Sequence, residues 1–449
     1  MGQTACSLCE RPADDVPPEK EVQDRVAQLR EIVAADGEAP QVGLAKNYRR
    51  LSTSGPALSE SEIEQLQPGV HGTLSGLGSN KDRIVSCSSS QDCLQKSGLE
   101  KVFNTEDIGD RRAVMITSLT EAGANKRSSF KEKNEEVLCP AGRETDEGAL
   151  LGWMQELGIA WACKKGLKAN SPNQDSFSIL AVENEFILIG VYDGHGPNGH
   201  DVSQHVRQEM VKLVMKHPNR ENDIESVLIQ CFKQVQDGIV KVSGVDAWES
   251  GTTCTMVYLD LVKQKATFAH VGDARSVLGL RKSGGQDFTT EDMTIDHKPN
   301  LPEERKRIES AKPPGRVLFD GFVNYRVFVQ NGMYPGLNMS RALGDVWAHR
   351  DAGLSAVPDT RTIDLKALLD NHEEVTLLVC TDGVWEFLEG KDAFGLVSQT
   401  TDPDKIVNRL ALRSWELWME DSGNEICDDI TAVCIQVHKA KQSMDRSSA

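Results

Sequence analysis

The sequence lacks the features that would place a protein inside a membrane or outside the cell. It contains no run of about 18 apolar residues, which a membrane-spanning helix requires. It shows no secretory signal peptide, and its eleven cysteines include a single C-x-x-C pair, Cys6 and Cys9. A zinc site of that type needs a second pair, and an odd number of cysteines favours reduced thiols. We therefore expect a protein that is not secreted and that lies in the cytoplasm or on the cytoplasmic side of a membrane.

Basic residues are too few for a general nucleic-acid-binding protein. The chain of 449 residues has 50 Lys and Arg against 68 Asp and Glu, which gives a formal net charge of −18. Binding to nucleic acid relies on a basic face that displaces counterions. The composition therefore argues against nucleic acid as a partner, while a hydrophobic fraction of 39% suffices for a substantial core.

The first third of the chain differs in character from the rest. Residues 17–35 have apolar residues at helical spacing and predict one short helix. From about 36 to 148 the sequence is rich in Ser, Gly and charge without a sustained period, which predicts a largely disordered or regulatory segment. We expect an N-terminal extension over 1–149, a catalytic domain over 150–440 and a tail over 441–449.

The N-terminal residues match the requirements for lipid attachment in part. Gly2 is the residue that N-myristoylation requires, although the sixth position holds Cys6 where Ser or Thr is usual. One acyl chain anchors marginally and two anchor stably, so palmitoylation at Cys6 and Cys9 would complete an anchor. We expect this membrane attachment; the alternative is an unmodified glycine after the initiator methionine.

From about residue 150 the hydrophobic pattern becomes regular. Strands are predicted at 186–192, 252–259, 266–271, 375–380 and 430–437. Two amphipathic helices are predicted between the first two strands, through Val202–Val214 and Ile224–Val235. Because strands and helices are grouped and do not alternate, the pattern favours an α+β fold with antiparallel sheets. Residues 296–336 are charged and broken by Pro and Gly, and we interpret them as an irregular excursion beside a site.

Several predicted strands deliver an acidic residue at one end. Asp193, Asp273 and Asp382 follow apolar runs, and Asp429 precedes one. A rigid strand fixes a carboxylate better than a loop does, and oxygen ligands suit Mg²⁺ or Mn²⁺ better than zinc. A single Asp-Gly at a strand end is more simply a turn. Four such positions, with a fifth acidic turn at Asp175, favour a metal site.

Seven short motifs occur in an order that resembles the PPM family, the metal-dependent type 2C protein phosphatases. They cover roughly residues 155–438, and they are SPNQD (171–175), VYDGHG (191–196), GTTCT (251–255), AHVGDARS (269–276), MSRALGD (339–345), CTDGVW (380–385) and DDIT (428–431). The resemblance implies an α-β-β-α sandwich of two antiparallel sheets flanked by helix pairs. It also implies metals at one end of the sandwich, phosphoprotein substrates and, we expect, a monomer.

The resemblance assigns two divalent ions, Mg²⁺ or Mn²⁺, to named residues. Asp193 would bridge the ions, and Gly194 would offer its main-chain carbonyl to one of them. Asp382 and Asp429 would complete the other. The two ions would lower the pKa of a shared water, and the resulting hydroxide would attack the phosphorus of phosphoserine or phosphothreonine.

Four further residues would lie around these ions. The family usually has Glu where Gln174 stands, so the Gln174 amide would hold a metal-bound water, with Asp175 beside it. Asp273 and Glu386 fall where some members hold a third, weaker ion.

Proton donation and phosphate binding would fall to His195 and a lysine. His195 would protonate the departing serine or threonine oxygen, or instead orient Asp193. Where the family has an arginine that grips the phosphate, this chain has Lys165 and Lys168, between which the sequence does not choose. Arg341 could bind phosphate, and it is equally compatible with a structural role, as an ion pair with an acidic residue at the rim of a sheet.

Two other functions fit the same motifs. One is a catalytically inactive PPM-fold binding module, which loss of metal aspartates would indicate. The other is a different metallohydrolase, such as a nuclease, against which the acidic composition argues. A metal-dependent serine/threonine phosphatase remains the predicted function.

Overall fold

The computed structural model describes residues 84–88, 108, 111–119, 130–140, 147–168, 172–242, 244–321 and 323–438, with the backbone alone at 84–88. The predicted helix over 17–35, the acylation residues Gly2, Cys6 and Cys9, and the tail over 441–449 lie outside these ranges. The helix, the acylation and the tail therefore stay predictions.

Two β-sheets form the centre of the domain. The larger one has the spatial order β1 (Ile84–Ser88), β3 (Glu135–Leu138), β2 (Ala113–Ser118), β5 (Ser176–Val182), β6 (Phe186–Tyr192), β9 (Cys254–Asp260), β10 (Lys265–Val271) and β17 (Asp359–Asp364). The smaller one has the order β12 (Phe288–Asp292), β11 (Arg275–Arg281), β18 (Glu374–Cys380), β19 (Ile430–His438) and β4 (Ile159–Lys164). Neighbouring strands are antiparallel except for the parallel pair β1 and β3.

The two sheets pack face to face through their apolar side chains. Phe177, Ile189 and Val257 of the larger sheet share one buried cluster with Trp161 and Val433 of the smaller sheet. Strand β6 reads FILIGVY and is buried along its whole length, which is typical of a strand covered on both faces. The opposite faces of both sheets are therefore available for helices.

Helices cover both outer faces of this sandwich. On the larger sheet lie α2 (Gly199–Lys216) and α3 (Ile224–Ile239). On the smaller sheet lie α8 (Gly390–Val397) and α9 (Pro403–Ser422). The shorter helices are α1 (Glu147–Glu156), α4 (Pro302–Ser310), α5 (Val346–Asp351), α6 (Leu365–Asn371) and α7 (Asp382–Trp385). The predicted α-β-β-α sandwich is confirmed.

Side-chain caps fix the start of two of the outer helices. The carboxylate of Asp223 accepts a hydrogen bond from the amide of Ser226 at the start of α3. Asp402 does the same for Asp404 at the start of α9, where Pro403 is the first helical residue. Both arrangements satisfy amide groups that have no partner inside the helix.

The predicted boundary between extension and domain is wrong. Strands β1, β2 and β3 all precede residue 150, yet they extend the larger sheet beside β5. Val114 and Ile116 of β2 are fully buried between the two sheets. These strands are four to six residues long, too short for a periodic hydrophobic signal, and their stability comes from pairing with distant strands.

The predicted irregular excursion over 296–336 has regular structure. It contains α4 and a three-stranded sheet of β13 (Gly315–Phe319), β14 (Tyr325–Val329) and β15 (Pro335–Leu337). Val317 and Val327 pack with Ile308 of α4 in a small core of their own.

Across the parts of the chain that the structure describes, no helix combines the length and the apolar character needed to cross a membrane.

A second three-stranded sheet lies at one end of the sandwich. It joins β7 (Gly194–His195), β8 (Gly251–Thr252) and β16 (Leu343–Gly344), which come from three distant parts of the sequence. Asp193 is the single residue between β6 and β7, so this small sheet begins directly after the predicted metal ligand.

Candidate active site

The predicted acidic residues meet at one end of the sandwich. Asp193 follows β6 and Asp273 follows shortly after β10, while Asp382 follows β18. Strand β19 runs antiparallel to β18, with Ala432 opposite Cys380, so the pair Asp428 and Asp429 before β19 lies at the same end. The topology therefore brings together the carboxylates that the sequence only placed at strand ends.

These carboxylates are buried and raise one another's pKa. Burial raises the pKa of Asp193 well above its ordinary value, and Asp382, Asp175 and Asp428 raise it further. Burial likewise raises the pKa of Asp382, with Asp428 contributing most among the charges. An excess of buried negative charge of this kind is stabilised when a cation binds.

Free carboxylate oxygens test whether a divalent cation fits the site. Within the described residues, buried oxygens without a hydrogen-bond partner occur on Asp175 (Oδ1), Asp273 (Oδ1) and Asp382 (Oδ1). Hard cations such as Mg²⁺ and Mn²⁺ prefer such oxygens. No three Asp, Glu, His or Cys side chains in the described ranges come together at the spacing of a metal site. The donor set fits the ions, and the side chains are not drawn together to ligand distance.

Gly194 leaves room for the turn that carries Gln174. A Cβ at Gly194 would lie 2.3 Å from the carbonyl oxygen of Gly199 and 2.6 Å from that of Gln174. Gln174 Nε2 donates a hydrogen bond of 2.7 Å to the carbonyl of Gly196. The amide of Asp193 donates to Thr253 Oγ1 at 3.0 Å, and the amide of Thr253 donates to the carbonyl of Asp193 at 2.9 Å, so the backbone of Asp193 is held by both of its polar groups.

Asp429 is directed away from the role that the resemblance gave it. Its Oδ1 accepts the amide of Gly166 at 2.7 Å, and its Oδ2 accepts the amide of Gln174 at 2.9 Å. Asp428 instead acts electrostatically on both Asp193 and Asp382. Sequence reasoning passed over Asp428 because two adjacent aspartates offer the same residue type. Because Asp428 and Asp429 are adjacent, the sequence does not show which of the two side chains accepts hydrogen bonds from backbone amides.

The structure separates the two candidate lysines. The ammonium of Lys165 donates to the carbonyls of Gly166 and Lys168, at 3.3 and 3.4 Å, and its side chain is buried. Lys168 forms an ion pair with Asp428. Burial opposes the charge of Lys168, but Asp428, Asp429 and Asp193 raise its pKa above the usual range. Lys168 is therefore the lysine that faces the acidic cluster.

His195 is paired with an acid from the small three-stranded sheet. Its Nε2 lies 2.6 Å from Asp345 Oδ2. Burial lowers the pKa of His195, but Asp345 overcomes this effect and the net shift is upward. A Cβ at Gly251 would lie 2.1 Å from Asp345 Oδ2 and 2.7 Å from His195 Nε2, so this pair requires glycine at position 251.

Asp273 and Glu386 share a lysine that the sequence analysis did not single out. Lys298 Nζ lies 2.5 Å from Asp273 Oδ2. Burial raises the pKa of Glu386, and Lys298 opposes this shift. The predicted third-ion position thus already has a cationic side chain beside it.

Arg341 has a structural role. Its guanidinium forms ion pairs with Glu304 and with Asp359, each at 2.7 Å, and donates to the carbonyl of Val357. Asp359 begins β17 at the edge of the larger sheet. The interpretation as an ion pair at the rim of a sheet is confirmed.

Comparison with known proteins supports the same interpretation of fold and family. The sequence pattern described as "Protein phosphatase 2C" matches residues 155–434. The chain is 28% identical over 355 residues to probable protein phosphatase 2C 73 of Oryza sativa subsp. japonica, covering 69% of this chain and 81% of that protein. It is 31% identical over 283 residues to probable protein phosphatase 2C 34 of Arabidopsis thaliana, covering 58% and 75%.

The fold also resembles a solved structure. The crystal structure of serine-threonine phosphatase 2C from Toxoplasma gondii superposes with a TM-score of 0.52 at 20% identity, covering 62% of this chain and 94% of that one. At that identity the likeness concerns the fold. Together with the match over most of the chain, it leads to one conclusion: the chain belongs to the protein phosphatase 2C family of protein serine/threonine phosphatases.

Proposed function

We propose that this chain is a catalytically active, metal-dependent phosphatase that hydrolyses phosphoserine and phosphothreonine in proteins. The observation that carries the proposal is the cluster of buried carboxylates with raised pKa values and unpartnered oxygens at one end of the sandwich. An inactive binding module of the same fold has no need to keep such a destabilising cluster.

The residues proposed to hold two divalent ions are Asp193, the carbonyl of Gly194, Asp382 and Asp428. Asp428 replaces Asp429 in this proposal, because the backbone amides already occupy both oxygens of Asp429. Bound ions would supply activation of water at neutral pH and neutralisation of charge on the phosphoryl oxygens.

Two cationic groups of the chain itself would act on the substrate. Lys168 lies at the acidic cluster and would attract and orient the dianionic phosphoryl group as a point charge, without the two-pronged contact of an arginine. His195 would hold a proton for the departing serine or threonine oxygen, and Asp345 would keep the imidazole protonated to higher pH.

Turnover of an aryl phosphate by the full chain tests the proposal. We expect activity that requires Mn²⁺ or Mg²⁺, stops with EDTA, and is nearly abolished in Asp193→Ala and Asp382→Ala. Asp287→Ala is the matched control, because Asp287 is exposed at the opposite end of the sandwich, next to the pairing of Phe288 with Arg281. More than about a tenth of wild-type turnover in either site variant at saturating Mn²⁺ would refute the metal assignment.

A pair of amide substitutions tests the choice between the adjacent aspartates. Asp428→Asn should weaken Mn²⁺ binding by about tenfold or more with little change in thermal stability. Asp429→Asn should mainly lower the unfolding temperature, because an asparagine accepts only one of the two backbone hydrogen bonds and brings its own N–H₂ against the other donor. The reverse pattern would restore Asp429 as the ligand.

A further inference from the structure

The segment 130–138 joins the edges of the two sheets beside the candidate site. The amide of Phe130 donates to the carbonyl of Lys165 at 2.8 Å, and the amide of Lys165 donates to the carbonyl of Lys131 at 2.9 Å. A few residues later the same segment becomes β3 of the larger sheet, paired with β2. The segment therefore begins beside β4, the edge strand of the smaller sheet, and ends as a strand of the larger sheet.

Lys133 lies at the crossing point and points into the protein. Its side chain is buried, with a residue exposure of 5%. The ammonium donates to the carbonyl of Asn173 at 3.2 Å and also to the carbonyl of Asp175. These two carbonyls flank Gln174, so both hydrogen bonds act on the turn that carries Gln174 and Asp175.

The rest of that turn is held by contacts to the acidic cluster. The amide of Gln174 donates to Asp429 Oδ2, and the amide of Asp175 donates to the side chain of Asn173 at 3.0 Å. Asp175 Oδ2 in turn accepts the hydroxyls of Thr381 and Thr431. A displacement of the turn would therefore move Gln174, Asp175 and Asp429 together.

We infer that Lys133 is a positioning residue for metal binding. It holds the Asn173–Asp175 turn through the carbonyls of Asn173 and Asp175. This turn packs against a proposed ligand, since a Cβ at Gly194 would lie 2.6 Å from the carbonyl oxygen of Gln174. This inference rests on the proposed function. Residue 133 precedes residue 155, where the match to the family pattern begins, so the contact lies outside the part of the chain that the pattern covers. A segment outside the family pattern thus contributes to the site.

Positioning and simple charge balance make opposite predictions for metal affinity. Lys133 is a cation close to Asp175 and Asp429, so loss of its charge alone would favour binding of a second cation. Loss of its hydrogen bonds would instead release the turn and weaken binding. Residues that orient metal ligands from outside the ligand set typically change metal affinity by about 10–100-fold when substituted.

Calorimetric titration of the metal-stripped full chain with Mn²⁺ measures this difference. Lys133→Met should raise the Kd for Mn²⁺ by about tenfold or more. Lys133→Arg keeps the charge but changes the reach of the donor, and should raise the Kd several-fold. Lys131→Met is the control on the same segment, since its side chain is exposed and its main-chain pairing is retained; its Kd should equal that of the wild type. Unfolding temperatures in EDTA, measured alongside, separate metal affinity from general stability.

Each result of the titration either supports or overturns the role of Lys133 in Mn²⁺ binding. Mn²⁺ binding by Lys133→Met that is equal to or tighter than that of the wild type would overturn the positioning role. If Lys133→Met does not fold, Lys133→Arg decides, and a wild-type Kd in that variant overturns the inference. A wild-type chain that binds no Mn²⁺ would refute the proposed function itself, and is thereby distinguished from failure of the Lys133 inference alone.

Discussion

Replacing Asp175 with asparagine should stabilise the metal-free protein at pH 8. Burial, together with the charges of Asp429 and Asp428, raises the pKa of Asp175 to about 7, against the opposing hydrogen bonds from Thr431 and Thr381. An unfolded aspartate titrates near 3.9, so the difference is about 3 units, or about 4 kcal/mol of folding free energy lost when the group is charged. Asparagine removes that charge and keeps the shape of the side chain.

Part of the gain is offset by the new amide. Oδ2 of Asp175 accepts the two threonine hydroxyls, and an asparagine oxygen can take that place. The N–H₂ group would then replace Oδ1, which is buried and without a partner among the described residues, at a cost of about 1–3 kcal/mol. The net gain is about 1–3 kcal/mol, or about 2–5 °C in Tm for a domain of about 300 residues.

The pH dependence identifies the cause. Because the pKa is raised in the folded state, the folded protein binds more protons than the unfolded chain between about pH 4 and pH 7. Wild-type stability therefore falls as pH rises through this window, and the destabilisation is complete above pH 7. The advantage of Asp175→Asn should be largest at pH 8 and smaller by about 2 kcal/mol at pH 5.5, which lies midway through this window.

Thermal unfolding in EDTA at pH 8 and pH 5.5 is the assay, with Glu304→Gln as control. Hydrogen bonds from Arg341, Arg307 and Ser340 overcome burial and lower the pKa of Glu304 to about 2. This carboxylate stabilises the fold at every pH above about 4, so Glu304→Gln should lower Tm at both pH values. A lower Tm for Asp175→Asn at pH 8, or an equal gain at pH 5.5, would refute the reasoning.

Three further outcomes are expected. Gln174→Glu should tighten Mn²⁺ binding in a titration through added negative charge, yet lower Tm in EDTA, because a carboxylate cannot donate to the Gly196 carbonyl; unchanged Mn²⁺ affinity would contradict the placement. Asp345→Asn should move the alkaline fall of kcat to lower pH, since Asp345 raises the pKa of His195; an unshifted profile would remove His195 as proton donor. Gly2→Ala should shift the protein from membrane to soluble fractions without changing turnover of a soluble phosphopeptide; no incorporation of a myristate analogue at Gly2 would reject the anchor.

Strong local patterns allowed much of the fold to be predicted. The predicted strand over 186–192 coincides with β6, and the two amphipathic patterns that follow it are α2 and α3. The predicted strand over 252–259 is divided into β8 and β9 at Thr253. There the amide and hydroxyl of Thr253 turn toward the backbone of Asp193. A hydrophobic pattern does not show such a break, because it depends on a partner 60 residues away.

The remaining errors have the same physical origin. Strands β2 and β3 are stable only because β5 and the rest of the larger sheet pair with them. Asp428 and Asp429 differ only in which one meets the amides of Gly166 and Gln174. Tertiary contacts determine both the stability of β2 and β3 and the roles of the two aspartates. Neither can be predicted from residue type or from spacing within one segment.

The pairing of β4 with β19 has a consequence for the order of events during synthesis. Thr431 contacts Cys163 across this pair, and the two residues are 268 positions apart. At about 5–20 residues per second, the ribosome would need roughly 15–50 s to make the intervening chain. During that time β4 lacks its neighbour and Lys168 lacks its ion-pair partner Asp428. The nascent protein therefore cannot assemble the candidate site until residues 428–438 emerge.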